Sequence, residues 1–188
     1  MANHGNEHIQ TKSGKLIEIR PLVGTDVGMY LDFYRTISSE STNTYKLTGA
    51  EPDTAQVAEI WERDRHDPLT LRLGAFDQDR LVAQLILFGS PPLNHPWTKH
   101  RARFAMAVIQ EFWGQGIARK LLEKMEQHAR AQGIIRIEAE VRADNTRGIG
   151  LYTKFGFHIE GTRKSASLIN GELRDEYYIA KILSPTKE

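Results

Sequence analysis

Cysteine is absent from this chain of 188 residues. Its absence excludes disulfide bonds, thiolate metal ligands, thiol redox chemistry and a covalent cysteine intermediate. Neither sign of charge predominates, because 25 Lys and Arg residues are balanced by 24 Asp and Glu residues. A polycationic binder of nucleic acid or membrane surfaces is therefore not expected. Long apolar runs are also missing: Leu81–Phe88 contains a Gln and is far shorter than the roughly 18 residues of a membrane span.

The first residues of the chain are polar and lack the apolar segment of a signal peptide, so we expect a cytoplasmic protein. Hydrophobic residues at 40% and charged residues at 26% are ordinary for a globular protein. Length favours one domain, which we assign to residues 15–184 after a polar arm at residues 1–14. The seven histidines form no HExxH motif and show no ligand spacing, so no metal site is expected.

Local patterns predict a mixed α/β order, β–α–α–β–β–β–α–β–α–β–β, around one hydrophobic core. The strongest helix signal is the apolar stripe of residues 114–132, followed by Gly133 at the expected C-terminal cap. The strongest turn signal is Asn170–Gly171, which predicts a hairpin between strands 157–169 and 172–183. The other predicted elements are strands 16–20, 70–76, 81–90, 103–109 and 134–141, and helices 25–37, 52–65 and 145–155.

A glycine-rich turn joins an apolar strand to the strongest predicted helix. Gly114, Gly116 and Ala118 are small, so an anion can approach the helix N-terminus, where amides lack partners and the dipole is positive. This pattern favours a pyrophosphate site, although a plain tight turn has it too. A P-loop motif is absent, and a dinucleotide fingerprint needs Gly or Ala in place of Arg119. An acidic residue about 20 positions later, Glu138, keeps the dinucleotide alternative open.

Two motifs together resemble the GNAT superfamily of N-acetyltransferases. The first is the Q/R-x-x-G-x-G/A signature at residues 113–118, with Trp113 where Arg or Gln is usual. The second is EVRADNTRGIGLYTKFGF, residues 140–157. It looks like the E-V-R-x-x-N-x-x-A-x-x-L-Y-x-x-x-G-F run of the ribosomal-protein N-terminal acetyltransferases, with Gly148 in place of the usual Ala. The similarity extends over about residues 70–183.

This resemblance implies a single-domain GNAT fold, with a mixed, mostly antiparallel sheet flanked by helices and splayed central strands that hold acetyl-CoA. It implies an enzyme that moves the acetyl group from acetyl-CoA directly to a primary amine in a ternary complex. The acceptor is then a small-molecule or peptide amine, and a homodimer through the C-terminal hairpin is compatible with the pattern. A non-catalytic acyl-CoA-binding module and a small nucleotide-binding oxidoreductase remain as alternatives.

The resemblance also assigns roles to residues. Tyr152 is the expected general acid, because a phenol can protonate the departing thiolate. Glu140 is the expected base, acting through water, and an ordered water network without a carboxylate is the alternative. Asn145 is a helix N-cap, a cofactor contact or both. The implied cofactor-binding residues are Met106, Ala107, Val108, Trp113, Gly114, Gln115, Gly116, Ile117, Ala118, Arg119, Asn145 and Tyr152.

The acceptor side is implied only coarsely, by the first helices and the loops near the last hairpin. Candidate residues there are Asp26, Asp32, Glu40 and the Tyr177–Tyr178 pair. No feature of the sequence selects one amine over another.

Overall fold

The predicted alternation of strands and helices is present in the computed structural model, which describes residues 5–90 and 95–183. Residues 91–94, between the strands predicted at 81–90 and 103–109, lie outside the described residues. All the predicted elements are present, with ends displaced by at most three residues, and one further strand precedes them. The elements are β1 (Glu7–Gln10), β2 (Leu16–Pro21), α1 (Val27–Glu40), α2 (Thr54–Arg65), β3 (Leu71–Asp77), β4 (Arg80–Gly89), β5 (Arg101–Val108), α3 (Ile117–Ala131), β6 (Arg136–Arg142), α4 (Thr146–Lys154), β7 (His158–Ile169) and β8 (Glu172–Ile182).

The strands form one mixed sheet in the order β1-β2-β3-β4-β5-β6-β8-β7. Among the described strands, β5 and β6 are the one parallel pair. Their register covers only Arg101–Arg103 and Arg136–Glu138, although β5 continues to Val108 and β6 to Arg142. The two central strands therefore diverge and leave an opening in the middle of the sheet. The expected mixed sheet with splayed central strands is confirmed.

Each face of the sheet is covered by two helices. Arg72 of β3 lies against Trp61 of α2, so α1 and α2 cover one side, the α1/α2 face. Lys181 of β8 bonds Glu126 of α3 and the carbonyl of Phe155 just after α4, which defines the opposite α3/α4 face. The apolar stripe of α3 is buried against the sheet, as predicted; its fully buried members are Ile117, Leu121, Leu122, Met125 and Ala129.

Helix α3 starts three residues later than the sequence pattern predicts. Gly114 and Gly116 have φ angles of +74° and +92°, which cannot continue a right-handed helix. They form a separate turn instead. The predicted end of α3 and the predicted hairpin turn are confirmed: Gly133, at φ +70°, follows α3, and Asn170–Gly171 forms the β7–β8 turn with both φ angles positive.

Strand β1 lies within the segment predicted to be a polar arm, residues 1–14. It pairs antiparallel with β2, from Glu7 opposite Ile19 to Gln10 opposite Leu16. This strand has no local sequence signal, because Ile9 is its single apolar residue. Strand β1 lies at the edge of the sheet and pairs with β2 alone. Its backbone hydrogen bonds, and not an apolar pattern, hold it in place. Residues 1–4 of the arm are not described.

Candidate active site

The glycine loop, residues 114–116, leads directly into α3. A Cβ atom built on Gly114 or Gly116 would meet no atom within 4 Å, so the space in front of the loop is open. The first amide that bonds within the helix is that of Lys120, which donates to the Gly116 carbonyl at 3.1 Å. The amides before it have no acceptor inside the helix, and the helix dipole is positive there. The loop therefore has the donors and the space to hold a phosphate group.

The side chains that follow this loop differ in what they can offer to a bound anion. Ile117 is buried in the core, so it offers its backbone amide alone, and Ala118 beside it is half-buried. Arg119 forms an ion pair with Glu123 at 3.0 Å and is largely exposed. The loop thus presents backbone donors to a ligand rather than a fixed positive side chain.

Trp113 brings a cation to the rim of the loop. Its indole Nε1 donates a hydrogen bond to the Val108 carbonyl at 2.8 Å, which fixes the ring beside the end of β5. The guanidinium of Arg147, in the first turn of α4, lies 4.6 Å from the centre of this ring. A cation over an indole face is a favourable contact. Trp113, at the position where Arg or Gln is usual, therefore holds an arginine beside the open space.

The opening between β5 and β6 begins after Arg103, the last residue of β5 in register with β6. Met106, Ala107 and Val108 lie beyond that point and are half-buried, and Ala105 is exposed although it belongs to a central strand. Backbone groups of these residues that point toward β6 have no partner on that strand. Except for the Val108 carbonyl, which accepts from Trp113, they are free to bond an extended ligand inserted between the two strands.

Tyr152 lies on the α3/α4 face of this opening. Its ring contacts Phe104 of β5 edge-on, with centroids 5.5 Å apart, and Phe157 at 5.9 Å. Burial raises the pKa of the Tyr152 hydroxyl to about 12, so the phenol is neutral at physiological pH. The hydroxyl makes no hydrogen bond to any residue in 5–90 or 95–183. Tyr152 therefore has a proton to donate and no hydrogen-bond partner for it among the described residues.

Glu140 lies on the other side of the sheet, the α1/α2 face. Its carboxylate forms an ion pair with Arg103 across the opening and lies 3.8 Å from the guanidinium of Arg163. Adjacent residues of a strand point to opposite faces, so Arg103 and Phe104 direct Glu140 and Tyr152 to opposite sides. The two predicted catalytic residues thus flank the same opening from its two faces.

Asn145 caps α4, as one of its two predicted roles requires. Its side-chain oxygen accepts a hydrogen bond from the Gly148 amide at 2.9 Å. The N-cap role is confirmed, and a cofactor contact by Asn145 stays a prediction.

A second group of polar residues fastens the loop between α1 and α2 onto the α1/α2 face. Tyr45 donates a hydrogen bond to the buried carboxylate of Glu176 at 2.8 Å, and Arg163 reaches the same carboxylate at 3.0 Å. Arg142 donates to the side chain and carbonyl of Thr42. Burial, followed by the Glu176 carboxylate, raises the pKa of Tyr45. These contacts have no local sequence signal, because the partners are 131 and 100 positions apart.

Two of the acidic residues proposed for the acceptor side have structural partners instead. Glu40 accepts a hydrogen bond from the Gln110 amide at 2.8 Å, which joins the end of α1 to the segment after β5. Asp26 is 2% exposed and binds the Arg20 guanidinium through both oxygens, at 2.7 and 2.8 Å. One of these oxygens also accepts from the Val23 amide. Asp26 therefore stabilises the entry to α1 and is not accessible to an acceptor.

Replacing Asp26 by alanine is expected to lower the free energy of unfolding by about 3–5 kcal/mol, because Arg20 would lose its buried counter-ion. Urea unfolding followed by circular dichroism measures this change. Asp32→Ala is the matched control, since Asp32 is exposed and pairs with exposed Arg35, and its stability should stay near that of the parent. An Asp26→Ala protein as stable as the Asp32→Ala protein would contradict the structural assignment.

Within the described ranges, no three His, Cys, Asp or Glu side chains are grouped so that they could hold a metal ion. None of the helices there combines the length and apolar character needed to cross a membrane. The antiparallel pairing of most strands also disagrees with the nucleotide-binding oxidoreductase alternative, which requires a mostly parallel sheet. Glu138, the acidic residue that kept this alternative open, is held by Ser90 at 2.7 Å and Arg136 at 2.9 Å.

An open mixed sheet, split between two central strands and carrying a glycine loop at a helix N-terminus, defines the chain as an α/β protein with a cleft beside a candidate anion site. The model of the acetyltransferase (GNAT) family matches residues 32–157, and the chain belongs to this family. The family resemblance of the two sequence motifs is thereby confirmed.

Two curated relatives are similar in sequence over shorter segments. The L-amino acid N-acetyltransferase AaaT of Escherichia coli is 39% identical over 90 residues, which are 47% of this chain and 56% of that protein. The ribosomal protein bS18-alanine N-acetyltransferase of Salmonella typhimurium is 34% identical over 62 residues, 33% of this chain and 42% of that protein. The similarity thus spans about half the length of these relatives.

Solved structures show the same fold at low sequence identity. A GNAT-family acetyltransferase of Streptococcus pneumoniae has a TM-score of 0.82 at 20% identity and covers 89% of this chain and 99% of its own. The yncA protein of Salmonella typhimurium, solved with its cofactor acetyl-CoA, has a TM-score of 0.76 at 16% identity, with coverages of 92% and 96%. These likenesses confirm the fold.

Proposed function

We propose that this chain is an N-acetyltransferase that moves an acetyl group from acetyl-CoA directly to a primary amine. The observation that carries this proposal is the pair of Tyr152 and Glu140 on opposite faces of one opening in the sheet. A transfer reaction needs a proton donor on the side of the leaving group and a proton acceptor on the side of the amine. Tyr152 and Glu140 lie on opposite faces of the sheet, and both border the same opening between β5 and β6.

The described residues fit acetyl-CoA. The free amides at the start of α3, with Arg147 at their rim, suit its pyrophosphate. The gap beside Met106, Ala107 and Val108 suits its extended pantetheine arm, which bonds unpaired strand groups. When bound, acetyl-CoA would supply an activated acetyl thioester. The membership of the chain in the acetyltransferase family supports this choice of ligand.

The residues around the opening would divide the chemistry between them. Tyr152 would donate its proton on the α3/α4 face, where its hydroxyl has no other described partner. An amide of the segment 106–108 would polarise the carbonyl by hydrogen bonding, a role that needs no side chain. Glu140 would receive the amine proton through water on the α1/α2 face. Because Arg103 also holds Glu140, the acceptor ammonium and Arg103 would share this carboxylate.

The charges near Glu140 favour an acceptor that carries both signs. Arg103 and Arg163 flank the carboxylate, so a cationic site and an anionic site lie side by side on the α1/α2 face. An α-amino acid has an ammonium and a carboxylate at a matching short separation. The name of the relative AaaT, an L-amino acid N-acetyltransferase, points to the same class. We therefore place amino acids first among the acceptors to be assayed.

A panel of amines assayed for CoA release tests the proposed function. The panel contains free amino acids, their carboxamides, polyamines and peptides with free N-termini. Turnover with at least one amine, and a preference for amino acids over their carboxamides, is the expected result. Calorimetry with acetyl-CoA and with NAD accompanies the assay. Acetyl-CoA binding without turnover on any acceptor would favour the non-catalytic acyl-CoA-binding module instead.

Replacing Glu140 by glutamine is expected to remove the acidic limb of the pH profile of kcat/KM. A carboxylate base loses activity as the pH falls through its pKa, whereas the amide of glutamine does not titrate. Rates are measured from pH 5 to 9 under single-turnover conditions. Glu138→Gln is the matched control, because Glu138 lies on the same strand but is held by Ser90 and Arg136. An unchanged acidic limb in Glu140→Gln would favour the ordered water network as base.

A further inference from the structure

The N-terminal hairpin consists of β1, β2 and the turn between them, and it includes residues 7–14 of the predicted polar arm. Hydrogen bonds hold its turn in one conformation. The Thr11 amide donates to the Lys15 carbonyl at 2.8 Å, and the Gly14 amide donates to the Thr11 carbonyl at 3.0 Å. Thr11 is 5% exposed, and its hydroxyl accepts from the Lys15 amide at 2.9 Å. The turn therefore has a fixed shape and can act as a support for neighbouring segments.

One contact of this hairpin reaches the middle of the glycine loop. The Ser13 amide donates a hydrogen bond to the side-chain oxygen of Gln115 at 3.0 Å, across 102 positions of sequence. Gln115 lies between Gly114 and Gly116, the two residues with positive φ angles. Glycines have more conformational freedom than other residues, so a loop built from them is mobile unless its neighbours restrain it. The hydrogen bond to Gln115 is such a restraint.

A second contact holds the start of α3. The Glu7 carboxylate bonds Lys120 at 2.5 Å and Lys124 at 2.8 Å, one turn further along the helix. The hydrogen bonds from Lys120 and then Lys124 lower the pKa of Glu7, so the carboxylate is charged at neutral pH. The Lys124 side chain is only 11% exposed, which limits screening of this pair by solvent. Strand β1 is thereby attached to the first two turns of α3.

A third contact fastens the turn to the segment that precedes the glycine loop. The Lys15 ammonium bonds Asp77 at 2.8 Å and Glu111 at 3.4 Å, and it lies 4.7 Å from the centre of the Phe112 ring. Arg80 bonds the same Glu111 carboxylate at 2.7 Å. The hairpin thus contacts the segment before the glycine loop, the middle of the loop, and the helix that follows it.

We propose that the N-terminal hairpin positions the glycine loop for acetyl-CoA, with Gln115 and Glu7 as the positioning residues. The inference rests on the proposed function, because it assumes that this loop binds the pyrophosphate. Donors fixed before the ligand arrives bind it more tightly, since the loop's entropy is lost on folding and not on binding. Within the described residues, neither contact involves Tyr152 or Glu140. The hairpin therefore affects binding of acetyl-CoA and leaves the chemical step unchanged.

Two variants test this inference, Gln115→Met and Glu7→Gln. The first keeps the length of the side chain and removes the acceptor for the Ser13 amide. The second removes the charge between the two lysines. Each is expected to raise the Kd and KM of acetyl-CoA about 3–10-fold, with kcat and the acceptor KM within about twofold of the parent. Calorimetry gives the Kd, and hydrogen exchange is expected to be faster at residues 114–119.

The matched control is Asn6→Ala, which breaks the 2.6 Å hydrogen bond from Asn6, the residue before β1, to Glu18 of β2 and involves neither the loop nor α3. Its Kd should equal that of the parent. Parent-like Kd values for both Gln115→Met and Glu7→Gln would overturn the inference, and so would a fall in kcat at constant KM. If the parent itself binds no acetyl-CoA, the proposed function fails and the positioning role with it. If the parent binds and the variants match it, only the positioning role fails.

Discussion

Replacing Tyr152 by phenylalanine is expected to lower kcat about 10²–10⁴-fold, the usual contribution of a positioned acid. The ring contacts with Phe104 and Phe157 survive the change, so the packing of α4 against β5 is kept. What is lost is the proton of a hydroxyl that has no other hydrogen-bond partner in the described residues. Acetyl-CoA affinity should remain near that of the parent. Single-turnover assays with saturating acetyl-CoA measure the chemical step directly.

The pH dependence gives this prediction a second readout. Burial raises the pKa of Tyr152 to about 12, so the acid stays protonated across the range in which enzymes are assayed. We therefore expect Tyr152 to stay protonated, and the parent to keep its general acid, between pH 7 and 10. The raised pKa also affects stability. In the unfolded chain the tyrosine ionises near pH 10, so the free energy of unfolding is expected to fall as the pH rises above that value.

Tyr30→Phe is the matched control for loss of a hydroxyl. Tyr30 lies in α1, on the opposite side of the sheet, and its hydroxyl accepts a hydrogen bond from Lys46 at 3.1 Å. Its kcat should remain within about twofold of the parent. If Tyr152→Phe also stays within about twofold, Tyr152 is a structural tyrosine and the general-acid role is refuted.

The elements that could be predicted from the sequence are those with local signals. The apolar stripe of α3 repeats with the helical period, and Asn170–Gly171 adopts the positive φ angles that its residue types favour. Strand β1 has no such signal, because its order comes from backbone pairing with β2. The divergence of β5 and β6 has none either, since it is a property of two strands whose paired residues lie 35 positions apart; only the family resemblance implied it.

The candidate site divides in the same way. Tyr152 and the glycine loop are parts of continuous motifs, so the sequence could identify them. The ion pair of Arg103 with Glu140 joins residues 37 positions apart, and the bond between Ser13 and Gln115 joins residues 102 positions apart. These contacts depend on the completed sheet, and residue types alone cannot reveal them. Both contacts bear on the proposed mechanism. The first places a positive charge beside the carboxylate of the expected base, and the second restrains the expected phosphate-binding loop.

Replacing Gly116 by valine is expected to weaken acetyl-CoA binding about 100-fold or more. A β-branched residue at φ +92° is strained by about 1–3 kcal/mol, and a loop that relaxes would lose charge-assisted bonds to phosphate worth about 1.5–3 kcal/mol each. The side chain would also point into the open space in front of the loop, where no protein atom lies within 4 Å of a Cβ. Calorimetry measures the affinity, and circular dichroism confirms that the variant folds.

The chain offers a control with the same backbone strain at the other end of the same helix. Gly133 has a φ angle of +70°, and a Cβ there also meets open space, but it lies after α3 and far from the glycine loop. Gly133→Val should therefore lose similar stability and bind acetyl-CoA as the parent does. Comparing the two variants separates the cost of a valine at positive φ from the loss of the phosphate site. A folded Gly116→Val protein with the affinity of Gly133→Val would remove the glycine loop from the acetyl-CoA site.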